Sequence, residues 1–266
     1  MEDYGLGLYF QRERLNPTRV EPPLGPEDAL VEIAGRDSVA AAVALAREGR
    51  LRRALPVISY TGTEFGDMTL LRRAAERLRE ALEPYVVEVM EAAVTGSPLW
   101  WRATVGRPNA VLSRRYGPWH ICVGCHMYLH ACRAPFAWSA GASRLVAGER
   151  LRHGGKVKVN QTVEAVGAYR RVLEAFGIRL EMPLLDLDNE EEITSLAGSW
   201  REGEEQPECV LAGNYRLMDG SADYDAVALE AYIEDYLVPV TTRILCDLRD
   251  GVAVDYELAV REALSG

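Results

Sequence analysis

The chain has 266 residues, 48% of them hydrophobic, which suffices for the core of one large α/β domain or a domain with a sizeable insertion, so disorder is not its default state. No stretch reaches the roughly eighteen uninterrupted apolar residues a membrane helix needs, and the start MEDYGLGLYF lacks the basic-then-apolar order of a signal peptide; a cytoplasmic protein without membrane contact is expected. The formal charge of −10 argues against a broadly basic nucleic-acid surface, although nine acids against the single Arg201 between Asp186 and Glu208 concentrate it in one expected surface loop and leave the remainder near neutral.

A Pro-rich lead (Pro17, Pro22, Pro23, Pro26) precedes Ala29–Ile33, which reads as a short buried strand. A tight turn, Ala34-Gly-Arg-Asp-Ser38, and an Ala-rich helix from Val39 to Arg47 follow. Leu55 to Tyr60 reads as a second strand, then comes Thr61-Gly-Thr-Glu-Phe65, then an amphipathic helix from about Thr69 to Leu82 with Leu70, Leu71, Ala74 and Leu78 on one face. Tyr85 to Met90 is a third strand, Pro98 to Pro118 is irregular, and a helix runs from His120 through Arg133. Leu145 to Ala147 is a strand ending at Gly148-Glu-Arg150, and Lys156 to Val159 alternates like a half-exposed strand after the Gly154-Gly155 turn. A helix from Val163 to Ala175, a strand from Met182 to Leu187 and a helical tail after Tyr224 complete the pattern. Alternating strands and helices predict an open parallel sheet with helices on both faces, a Rossmann-like α/β fold with a helical C-terminal tail.

In such a sheet ligands bind beyond the carboxyl ends of the strands, where turn glycines expose backbone N–H groups and helix N-termini favour negative charge. Ala34, Gly35, Arg36, Asp37 and Ser38 occupy such a place. The five cysteines include the pair Cys122-Val-Gly-Cys125, with Cys132 one helical stretch further on and Cys209 and Cys246 distant. In a chain this long the pair points to metal or redox chemistry in a reducing compartment rather than to a disulfide framework. His120, His126 and His130 crowd the same segment, so a Cys-and-His zinc site and a metal-free cysteine pair are both open readings of it. Cys246, in Arg243-Ile-Leu-Cys246, reads as a buried helix residue. Trp100, Trp101, Trp119 and Trp138, with arginines nearby, read as core or interface residues, with base stacking as the alternative.

The turn resembles the PP-loop of the N-type ATP pyrophosphatases, Ser-Gly-Gly-x-Asp-Ser, with Ile33 and Ala34 in place of the first Ser and Gly. Thr61 to Phe65 is similar to the Asp-Thr-Gly-x-Glu-Phe segment of reductase and sulfurylase relatives, and Gly148-Glu-Arg150 to the loop after their fourth strand; together these matches span about residues 28 to 195. The Cys-x-x-Cys with a distant third cysteine resembles the iron–sulfur-dependent tRNA thiolation enzymes of that superfamily. The resemblance implies an adenine nucleotide alpha hydrolase-like domain over 28–200, after a lead segment of 1–27 and before a C-terminal segment of 201–266. It implies ATP and Mg²⁺ held by Ala34 to Ser38, with Asp37 catalytic, by Thr61 and Gly62, and by Gly148 and Arg150. Lys156, with Lys158, would neutralise phosphate charge. Cys122, Cys125 and Cys209 would hold a [4Fe-4S] cluster, with Cys132 as the replacement third ligand or as a persulfide carrier.

The implied reaction is adenylation of a carbonyl oxygen on a nucleobase, in tRNA or a small molecule, followed by sulfur delivery from a sulfide donor. A homodimer is common in the resembled family. The alternatives are an amide- or nitrile-forming ligase with a zinc site and a non-catalytic zinc-bearing binding module, the latter motivated by Ile33 and Ala34.

Overall fold

The computed structural model describes residues 13–16, 19–201 and 205–265. The first ten residues, Pro17 and two acids of the charged segment, Glu202 and Glu204, lie outside the described residues.

Strand β1 (Ala29–Ile33) is followed by helix α1 (Arg36–Arg47), β2 (Arg53–Ser59), β3 (Glu64–Phe65) and α2 (Thr69–Leu82). The expected third strand is split into β4 (Glu88–Val89) and β5 (Ala93–Thr95), both parallel to β2, the first on Arg53 and Ala54 and the second on Val57 to Ser59. On its other side β1 pairs in parallel with β6 (Arg144–Val146), which pairs with β7 (Arg179–Glu181). The chain therefore winds outward in both directions from the β1/β6 junction, and the crevice beyond their carboxyl ends is the topological switch point where open α/β sheets bind ligands.

Side-chain alternation divides the interior into two cores. Ala29, Val31 and Ile33 of β1 face α1, α2 and helix α8 (Glu190–Ala197), whereas Leu30 faces the opposite layer. That layer contains helices α5 (His120–Ala131), α6 (Ala134–Ala140) and α7 (Val163–Ala175). The tail forms α9 (Ala226–Tyr232), a π-helical stretch (Ile233–Leu237), α10 (Val238–Arg249) and α11 (Tyr256–Ser265). Its Tyr232, Tyr236 and Ile244 are buried in the same core as Val123 of α5 and Val172 of α7.

Four further segments differ from the sequence expectation. Pro98 to Pro118 is helical, because Ser97 caps the first turn by accepting Trp100 N–H at 3.1 Å and Pro98 occupies the first helical position, where its missing N–H costs nothing. Helix α3 (Pro98–Trp101), a π turn (Arg102–Gly106) and α4 (Asn109–Arg115) result. Lys156 to Val159 is no strand: Gly154 and Gly155, at φ of 61° and 79°, turn the chain away from the sheet, and Val159–Gln161 closes a 3₁₀ turn. The strand expected at Met182 to Leu187 lies three residues earlier, since its register with β6 ends at Glu181 and Pro183 cannot donate to a ladder. The acidic loop contains α8, with Asn189 as N-cap and three glutamates in the first turn, where the helix dipole favours them.

Asp28 is fully buried and accepts from Gly25 N at 2.7 Å, from Arg53 Nε and Nη2 at 2.9 and 2.8 Å, and from Arg52 Nη2 at 3.0 Å. Burial alone would raise its pKa, but these donors outweigh burial and hold the carboxyl below its ordinary range. Asp28→Ala leaves Arg53 buried without its carboxylate and is expected to cost about 3–5 kcal/mol in chemical denaturation. Because the folded carboxyl titrates lower than the unfolded one, its contribution is complete at neutral pH and is lost as pH falls below roughly 5, so the Tm difference between wild type and Asp28→Ala shrinks in acid.

A methyl group at Gly148 would lie 2.5 Å from Ser38 N and 2.7 Å from Asp37 O, whereas one at Gly167, inside α7, would meet nothing within 4 Å. Gly148→Ala is expected to destabilise by about 1–3 kcal/mol and Gly167→Ala to stabilise by roughly 0.5–1 kcal/mol, both read from denaturant midpoints.

Candidate active site

The first wall of the site is the turn between β1 and α1. Ser38 Oγ accepts from Ala34 N and Gly35 N at 3.2 Å each and donates to Gly35 O at 2.7 Å, so the motif's own hydroxyl fixes the loop. Asp37 accepts from Arg36 Nε at 3.1 Å and from Arg150 Nε at 2.9 Å. Glu190, at the start of α8, joins both cations, at 2.6 Å to Arg36 and 2.9 Å to Arg150. Burial would raise the Glu190 pKa, but the two arginines hold it below its ordinary range. Arg150 is 1% exposed, and its Nη1 has no hydrogen-bond partner. A helix N-terminus, an unsatisfied buried guanidinium nitrogen and an adjacent carboxylate together can receive a phosphate chain with a divalent cation.

The second wall is the segment after β2. Thr61 N, Thr61 Oγ1 and Gly62 N donate to the Glu64 carboxylate at 2.9–3.2 Å, and Gly62 takes φ +89°, which favours glycine. Glu64 pairs antiparallel with Cys209 in β8 (Glu208–Cys209), a two-stranded ribbon separate from the main sheet. Thr63 Oγ1 lies 3.3 Å from Cys209 Sγ. The chain reaches this ribbon past the first turn, since a Cβ at Gly35 would run into the Gln206 side chain.

Helix α5 supplies the third wall. It is pinned to the sheet by Tyr128, whose hydroxyl donates to Tyr60 O at 3.0 Å, and by Arg133 just beyond its end, which donates to Glu32 at 3.0 Å and Ser59 Oγ at 2.8 Å. Cys122 and Cys125, three residues apart, share one helix face. Cys122 Sγ donates to Asn214 Oδ1 at 3.1 Å, and Cys125 Sγ accepts from Trp101 Nε1 at 3.3 Å.

Cys122, Cys125 and Cys209 line one cavity of about 360 Å³, with Glu64, His126 and Lys158. Burial and then the nearby Cys209 push the Cys122 thiol up to about 12. Burial pushes Cys125 up as well, with Glu64, Cys209 and Cys122 adding to it against the bond from Trp101. Neighbouring thiols that oppose each other's ionisation in the free protein are the arrangement a cationic metal centre relieves.

The other expected site residues lie elsewhere. Cys132 is fully buried in the core, its thiol donating to Leu129 O at 3.4 Å, and is not among the cavity-lining residues. Lys156 is exposed near Gly220, while Lys158 lines the cavity. Cys246 is half-buried on α10. Trp100 and Trp119 pack in the core against Tyr128 and Tyr232, and Trp138 donates to Phe176 O.

Glu149 is the residue that sequence reasoning passed over within its own motif. It faces away from Arg150, with Oε1 3.0 Å from both His126 Nδ1 and His130 Nε2, and its other oxygen accepts from Gln161. The signal available was the spacing of His126 and His130, four residues apart on the cysteine helix.

Fold and site define an open α/β domain with a turn suited to phosphate at its switch point and a three-thiol cavity beside it. No family model matches the chain. An uncharacterized protein of Methanocaldococcus jannaschii, MJ0009, is 31% identical over 222 residues, covering 82% of this chain and 80% of that protein, and the chain belongs to its family. A crystal structure of a 4-thiouridine synthetase–RNA complex with bound ATP superposes at a TM-score of 0.49 and 17% identity, over 90% of this chain and 53% of that one, so this chain spans about half its length.

Thiol-specific alkylation of the native, metal-free protein, read by mass spectrometry, is expected to modify the half-buried Cys209 and Cys246 ahead of Cys122, whose raised pKa leaves little thiolate, and to leave Cys132 unmodified until denaturant is added.

Proposed function

We propose that the chain is an ATP-dependent enzyme of the PP-loop pyrophosphatase superfamily, forming AMP and pyrophosphate while replacing a carbonyl oxygen of a nucleobase, in tRNA or a small molecule, by sulfur. The observation that carries this reading is the convergence of Cys122, Cys125 and Cys209 on one cavity whose neighbouring loop, Gly148 to Arg150, packs directly on the Asp37–Ser38 backbone.

In this reading Gly35 N–H and the N-terminus of α1 receive the phosphates. Asp37 holds Mg²⁺, and Arg36 and Arg150 stabilise charge as pyrophosphate departs. The substrate oxygen attacks the α-phosphorus and pyrophosphate leaves; sulfide then bonds to the carbon, and AMP leaves carrying the oxygen. Lys158 and Arg216, both lining the cavity, offer positive charge to a nucleotide backbone.

The three thiols suit a three-thiolate cofactor with one open position. His126, which lines the same cavity, is engaged by Glu149 at 3.0 Å and by the Asn160 side chain at 2.8 Å and so belongs with Glu149 more than with the thiols. A [4Fe-4S] cluster held by Cys122, Cys125 and Cys209 supplies sulfide-binding iron chemistry when bound. The five unpaired cysteines support a cytoplasmic location as part of the same proposal.

Anaerobic purification with iron, zinc and acid-labile sulfide analysis tests the reading together with ATP turnover assays on acceptors that carry a nucleobase carbonyl, such as uridine in RNA. Asp37→Ala is expected to abolish ATP-dependent turnover, by at least about 100-fold, with metal content intact. Cys122→Ala and Cys209→Ala are expected to lose iron and Cys246→Ala to keep it. Retained turnover in Asp37→Ala rejects the nucleotide assignment, and zinc without sulfide in the wild type rejects the cluster.

A further inference from the structure

We propose that His126, His130 and Glu149 form a metal site separate from the three thiols, taking one divalent ion of zinc's class and opening onto the same cavity. The proposal does not depend on the sulfur-transfer reading.

His126 and His130 stand four residues apart on α5, so both imidazoles project from one face, the spacing by which a single helix supplies two nitrogens to one ion. Glu149 reaches them from the loop after β6. The three donor atoms, His126 Nδ1, His130 Nε2 and a Glu149 carboxylate oxygen, lie within 4.8 Å of one another. In a tetrahedral zinc site with bonds of about 2.0–2.2 Å, ligand atoms stand roughly 3.3–3.5 Å apart, so the two 3.0 Å nitrogen–carboxylate contacts are already near ligand spacing and only the two imidazole nitrogens have to close toward each other.

The surroundings suit ligation. His130 and Glu149 are 1% and 3% exposed, and a carboxylate that deep in the protein calls for a cation or several donors. Glu149's second oxygen accepts from Gln161, which His153 holds from the other side, fixing the carboxylate plane. Asn160 Nδ2 lies 2.8 Å from His126 Nε2, and a half-turn of that amide on ion binding would bring its oxygen to an Nε2–H and free Nδ1 for the metal. Arg133 is 3.5 Å from His130 Nδ1, too far to impose a tautomer, and its charge is paired with Glu32 at 3.0 Å.

The His126 side chain is 31% exposed and lines the 360 Å³ cavity, so the position not filled by protein faces the space shared with the thiols. Two histidines, one carboxylate and an open position are the donor set of catalytic rather than structural zinc. An ion there would bind water or a substrate oxygen.

The test is titration with cobalt(II) of a Cys122→Ser/Cys125→Ser/Cys209→Ser variant whose circular dichroism matches wild type. One cobalt per chain is expected, with visible d–d bands and without thiolate charge-transfer absorption, and with affinity falling at least tenfold when His130→Ala or Glu149→Gln is added. No cobalt binding, or binding indifferent to both substitutions, overturns the proposal. Should the triple variant not fold, the wild type and His130→Ala equilibrated with zinc decide it: one equivalent fewer in the variant supports the site, and equal zinc overturns it.

Discussion

The close approach of two loops at the switch point organises the molecule. Gly148 lies so near the Asp37–Ser38 backbone that a single methyl group would not fit, and its N–H donates to Glu32, a buried strand residue, at 3.3 Å. Glu32 also anchors Arg133 at the end of the cysteine helix. One carboxylate on the central strand thereby ties the turn at Asp37–Ser38, the loop after β6 and helix α5 into one unit. A buried charge with two directed partners specifies geometry more than it adds stability, since its desolvation offsets much of the Coulomb gain.

The alternating strands, the helices Thr69–Leu82 and Val163–Ala175, and the turn at Gly35 were legible in the sequence because each follows from local periodicity or a glycine at a strand end. The Ser97-Pro98 start was equally local and carried a cap signal, yet the prolines and tryptophans around it obscured the helix period. The strand ending at Glu181 was mislocated because register with β6, a non-local constraint, decides where pairing stops. Three thiols could be selected by spacing and resemblance, but nothing local indicates that Cys209 reaches them through a ribbon with Glu64. Glu149 was invisible as a partner of the histidines for the same reason: its contacts span 19 and 23 positions.

Ion pairing around the turn has a direct chemical reading. Arg36 and Arg150 share Asp37 and Glu190, so the free protein balances these two cations with carboxylates instead of leaving them exposed. Balancing lowers the cost of holding a guanidinium at 1% exposure, while Arg150 Nη1 stays unsatisfied. An anion entering there gains that donor and competes with Glu190, the most exposed member of the group.

Glu149 and Arg150, adjacent in sequence, point to opposite sides of the loop, one toward the cysteine helix and the other toward Asp37. Hydrogen bonds run from Glu149 through Gln161 and His153 back to Arg150, closing a ring of polar contacts between the two half-sites. With Gly148 wedged against the turn, this ring holds the loop between the Asp37 side and the His126 and His130 side from both directions. Any reaction that uses both a phosphate chain and the thiol cavity therefore has its two halves held at fixed separation by three consecutive residues, Gly148, Glu149 and Arg150, each acting through a different contact.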